Sequence, residues 1–79
     1  MNKGQIKEVE KAITLLEQAK QILSTVRAEE RNKFDSLPEE LKEIEGNLKI
    51  QSNADLLEYY SEEIEEQVKL IENVINENL

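Results

Sequence analysis

Cysteine, histidine and tryptophan are all absent from the chain. Their absence excludes disulfide scaffolds, zinc sites built on Cys or His, and every His-dependent catalytic triad. It also fits a reducing, cytosolic setting. Aromatic residues are scarce: Phe34, Tyr59 and Tyr60 are the three. One proline and two glycines leave little to interrupt a helix. No apolar run approaches the ~18 residues that a membrane span requires. Met1–Glu8 lacks the apolar stretch of a signal peptide. A cytoplasmic location and no membrane contact are therefore expected.

What the chain has is charge. Lys and Arg number 10 against 18 Asp and Glu, a net charge of −8 over 79 residues. That length holds one domain at most. A domain this small rarely draws more than ~3–5 kcal/mol from its core without a staple, and with no disulfide and no evident metal, self-association is the simplest source of stability. The charge is also uneven. Residues 1–33 carry seven Lys and Arg against five Glu, whereas residues 34–79 carry three Lys against thirteen acids. Two halves of opposite sign are suited to folding against each other, or the acidic face imitates nucleic acid.

Apolar residues predict a first helix over about 5–33, some 29 residues and ~43 Å long. One stripe runs Ile6, Val9, Ile13, Leu16 and, after Lys20, Leu23; a second runs Ala12, Leu15, Ala19, Ile22 and Val26. Together they cover about half the helix circumference, more than a two-helix seam needs. Residues 34–51 are too long to be structureless. Ser36-Leu37-Pro38-Glu39 reads as a capping box with Pro38 in the first turn, and Gly46 as a stop, giving a short helix over about 37–45. Phe34 is expected to plug the hairpin end. Ser52-Asn53-Ala54-Asp55 reads as the next start, with a helix over about 53–76. Its apolar face holds Leu57, Tyr60, Ile64, Val68, Ile71, Val74 and Ile75, interrupted by Gln67. Gln67 is expected at the seam, fixing register or meeting its symmetry mate. The expected fold is all-α: an antiparallel long–short–long helical hairpin, assembled into a homo-oligomeric bundle.

Chemistry finds little to work with. Glu58, Glu62, Glu63, Glu65 and Glu66 are the densest polar cluster, but helical spacing puts most of them on a solvated face. No motif calls for a metal or a cofactor, no nucleophile has a base beside it, and catalysis is not expected. Lys20 is expected opposite Glu62–Glu66 and Arg27 near Glu58, pairs that would fix register. The alternative groups Arg27, Arg31 and Lys33 at the elbow beside Phe34, with Tyr59 free to stack, as a phosphate or nucleotide pocket. Duplex nucleic acid is disfavoured by the net charge.

The segment Glu29-Glu30-Arg31-Asn32-Lys33-Phe34-Asp35-Ser36-Leu37-Pro38-Glu39-Glu40-Leu41 resembles a phrase in small helical proteins of bacteriophages and Firmicutes. In those proteins Phe-Asp-x-Leu-Pro-Glu-x-Leu follows an acidic helix end and precedes a second acidic amphipathic helix. This chain departs from them at Lys42, where a Gln is expected, and at Glu45-Gly46, which lacks an intervening basic residue. The resemblance implies a helical fold and a phage origin, and carries no activity with it. On that origin, the leading expectation is a non-catalytic, homo-oligomeric module that neutralises a host factor, such as a component of an antiviral defence system. It would block a protein through an interface of Ala12, Leu15, Ala19, Ile22, Glu62, Glu65 and Glu66, or sequester a small nucleotide between protomers using Arg27, Arg31, Lys33, Phe34 and Tyr59. The alternative is a purely structural assembly part.

Overall fold

The first helix begins earlier than the apolar pattern suggests, because a polar cap precedes it. In the computed structural model, which describes residues 1–79, α1 spans Lys3–Asp35. The Asn2 side chain accepts from the Gln5 N–H at 2.8 Å, and the Gln5 side chain accepts from the Asn2 N–H at 3.0 Å. These reciprocal bonds satisfy N–H groups that the helix itself leaves free. Ser36 ends α1, its N–H donating to the Asn32 carbonyl at 3.1 Å.

That role corrects the expected second cap. Ser36 closes α1 and makes no side-chain bond to open α2, a single turn at Glu39–Lys42 that follows Pro38. The next helix, α3, spans Glu45–Glu77, so the expected start near residue 53 lies well inside it. Gly46 does not stop a helix, since a glycine stop needs a positive φ and no glycine here has one. Instead Gly46 sits in the first turn of α3, and Asn47 reaches back to donate to the Leu41 carbonyl at 2.8 Å. A Cβ at position 46 would meet nothing within 4 Å. Gly46→Ala should therefore stabilise the fold by ~0.5 kcal/mol through the unfolded chain; a lowered melting midpoint in thermal denaturation would contradict this.

The chain is 89% helix, and α1 and α3 pair as an antiparallel hairpin 59 Å long and 15 × 14 Å across. Their seam follows alternating steps of three and four residues, the spacing of a coiled coil. On α3 the seam runs Ile50, Ala54, Leu57, Ser61, Ile64, Val68, Ile71 and Ile75, all buried or half-buried. On α1 it runs Ile6, Val9, Ile13, Leu16, Lys20, Leu23, Arg27, Glu30 and Phe34, again with none exposed. Three corrections follow: Tyr60 and Val74, expected on the core face, and Gln67, expected at the seam, are all exposed. Each is one position before a seam residue, Ser61, Ile75 and Val68 respectively, and so is turned off the contact line.

The two ends of the seam differ. Away from the elbow, Ile13, Val68 and Ile75 form the buried cluster, with Ile6, Val9, Leu16, Ile64 and Ile71 packed around it. Toward the elbow, α1 presents Lys20, Arg27 and Glu30, and α3 answers with the small residues Ala54 and Ser61. Phe34 closes that end at 9% exposure, with the Lys42 ammonium 5.7 Å above its ring. Only six of the 79 residues are buried, which is little core for a hairpin to stand on alone.

Candidate functional site

The seam divides the hairpin surface into two long sides of opposite chemistry. On one, Lys20, Ser24 and Arg27 of α1 face Glu58, Ser61, Glu62, Glu65, Glu66 and Lys69 of α3 across a groove of about 390 Å³ with no apolar lining residue. Lys20 Nζ donates to Glu65 Oε2 at 2.6 Å. That bond holds the Glu65 carboxyl below its ordinary value. A lowered folded value means that the stabilisation is present above the unfolded value and is lost as the pH falls through the folded one. Both partners are partly exposed, so the pair fixes register more than it adds stability. The Ser61 hydroxyl donates to the Leu57 carbonyl at 2.8 Å, which settles it inside its own helix. Arg27 forms none of the ion pairs, although Glu58 lines the same groove.

Nearer the elbow the remaining cations are committed. Arg31 donates to Asp55 at 2.9 Å and lies 3.8 Å from Glu58. The bond to Asp55 raises the guanidinium pKa further. Lys33 donates to Glu30 at 2.6 Å, which raises the ammonium and lowers the carboxyl. Phe34 is buried under Lys42, and Tyr59 stands edge-on to Tyr60 with ring centroids 5.3 Å apart. Arg27, Arg31, Lys33, Phe34 and Tyr59 thus line no common cavity. Only Arg27 faces the groove, because Arg31 and Lys33 are turned onto carboxylates of the hairpin itself.

The other side is apolar. Val26 of α1 and Leu56, Leu57 and Tyr60 of α3, with Glu30 and Asn53, line one shallow recess. The second α1 stripe and the Leu56–Tyr60 edge of α3 therefore share a side. Leu15 is 59% exposed and Ile22 63%, and Leu56, Tyr60, Leu70 and Val74 are each about half exposed. The residues expected to form one protein interface consequently separate. Ala12, Leu15, Ala19 and Ile22 belong to the apolar side, whereas Glu62, Glu65 and Glu66 line the charged groove. Ser24, Ser61 and Lys69 were not singled out from sequence for the groove; the seven-residue step from Lys20 to Arg27 is the signal that marks it.

No family model, curated protein or solved structure matches this chain.

Proposed function

We propose that the chain is a non-catalytic helical binding module that works by occupancy, as a homo-oligomer that masks a protein partner. One observation carries this reading: the two long sides of the hairpin differ in kind, one exposing apolar residues and the other acids. The apolar side suits self-assembly. The acidic side, with Glu62 and Glu66 exposed beside Glu58, suits a basic surface on the partner, where complementary charge speeds encounter and fixes orientation. The resemblance of the elbow to phage proteins makes a host factor, such as a component of an antiviral defence system, the partner class to test first.

Sequestration of a small nucleotide has less support. A phosphate would have to displace Asp55 from Arg31 and Glu30 from Lys33, and would meet four glutamates in the groove that Arg27 faces. A structural assembly role is the second reading, favoured by the apolar side alone, which needs no pocket.

Charge reversal separates these readings. Immobilised protein carrying Glu62→Lys and Glu66→Lys should lose a host partner that the parent chain retains, while Arg27→Ala with Arg31→Ala should keep it. The opposite pattern, or nucleotide-sized extra mass on the gently purified protein in native mass spectrometry, overturns protein masking in favour of sequestration. A parent chain that retains no host protein and no small molecule leaves the assembly role.

A further inference from the structure

The apolar side has an internal symmetry that names its occupant. On α1 the stripe runs Ala12, Leu15, Ala19, Ile22 and Val26, exposed except for the half-buried Ala19 at its midpoint. On α3 the corresponding stripe is Leu56, Tyr60, Glu63, Gln67, Leu70 and Val74, which continues in steps of three and four residues. It reads apolar, apolar, polar and then polar, apolar, apolar, with its midpoint at position 65. The Lys20–Glu65 bond of 2.6 Å places the two midpoints at the same height on the hairpin. A single two-fold axis at that height therefore maps each stripe onto itself.

We infer that this side is covered by a second copy of the chain, packed antiparallel about that axis with the two elbows at opposite ends. This rests on the self-assembly in the proposed function but not on what the acidic side binds. In this arrangement α1 lies on the α1 of the partner subunit and α3 on its α3. Ala19 meets the partner's Ala19, a small residue at the point where the two backbones come closest. Tyr60 meets the partner's Leu70, and Leu56 the partner's Val74. Glu63 comes opposite the partner's Gln67, whose amide donates to the carboxylate, so the polar residues of each stripe are satisfied by those of the other. Toward the ends, Lys49 comes within a turn of the partner's Glu77.

A two-fold axis along the hairpin is the other way to close the face. It would stack α1 on the α3 of the partner subunit, elbows together, and would set Glu63 against the partner's Ile22 with no amide to receive it. Burial of an unpartnered carboxylate disfavours that arrangement. Area also favours a second copy. The exposed side chains amount to on the order of 700 Å² of surface, more than a monomer ordinarily leaves bare and close to the ~800 Å² that each partner of a stable complex contributes.

The chain has no cysteine, so single introduced thiols test the geometry directly. Ala19→Cys should oxidise to a covalent dimer in high yield. Spin labels on Ser36→Cys should lie ~50 Å apart, twice the ~25 Å rise from position 19 to the elbow. Gln67→Glu should weaken dimerisation at least tenfold at neutral pH, and adding Glu63→Gln to it should restore the parent affinity. A dimer whose elbow labels lie within ~20 Å, about twice the spacing of neighbouring helices, overturns the inferred arrangement and leaves self-assembly standing. A parent chain that stays monomeric at high concentration overturns both.

Discussion

Val68→Asp should abolish the fold. Val68 is 3% exposed and sits between Ile13 and Ile75 in the one buried cluster of the molecule. A carboxylate there would have no cation within the cluster, and burying an unpaired charge costs several kcal/mol even after the protein relaxes. A core of this size supplies only ~3–5 kcal/mol, so the loss exceeds what the hairpin holds. Far-UV circular dichroism should show a largely unfolded chain at room temperature. A cooperative thermal transition close to that of the parent would mean that Val68 is not where the fold draws its stability. Ser61→Ala is the matching control on the same seam, because the Ser61 hydroxyl bonds only within its own helix.

Leu15→Glu combined with Ile22→Glu should convert the proposed dimer to a monomer. At 59% and 63% exposure in the single chain, both positions would tolerate polar residues with little effect, as surface positions generally do. Across a two-fold interface each substitution is counted twice, and each removes ~1.5–3 kcal/mol of apolar burial. Scaled to the roughly 60% of each side chain that is still exposed in the single chain, the four losses come to at least ~3.5 kcal/mol, several hundredfold or more in the dissociation constant. Sedimentation equilibrium reads the result directly. An unchanged mass at micromolar concentration would show that the apolar side is not the interface. The two experiments inform each other: the first removes the fold at every concentration, whereas the second makes folding lose its dependence on concentration.

The hairpin was legible in the sequence because its signal is periodic. Ile6, Val9, Ile13 and Leu16 against Ile64, Val68, Ile71 and Ile75 define a seam without reference to coordinates. The Lys20 pairing was legible too, falling at Glu65 within the expected Glu62–Glu66 window. What escaped was the seam wherever its residues are not apolar. Lys20, Arg27 and Ser61 keep the three-and-four spacing but carry polar groups, so the apolar pattern alone does not mark them as seam and draws Tyr60 inward in place of Ser61. The local start and stop signals misled for a different reason. Ser36, Gly46 and Ser52–Asp55 each favour a helix boundary by a small amount, and the packing of Ile50 and Ala54 outweighs that preference over the disputed stretch. Asp55 in particular is drawn to Arg31 on the facing helix. The elbow cations were not legible as paired: Arg31 is turned onto Asp55 and Lys33 onto Glu30, commitments that depend on side-chain direction rather than on spacing.

The placement of the two kinds of contact along the seam has a consequence for how the hairpin opens. Ionic contacts occupy the half next to the elbow, where α2 already tethers the helices and a lost contact is quickly regained. Apolar packing occupies the far half, where no covalent link holds the helices together and closure has the longer loop to overcome. Added salt screens the first kind of contact and, for strongly hydrated anions, reinforces the second. Backbone amides near Lys20–Arg31 should therefore exchange faster with solvent as ionic strength rises, while those around Val68 hold. The hairpin yields at its hinge before it parts at its tips.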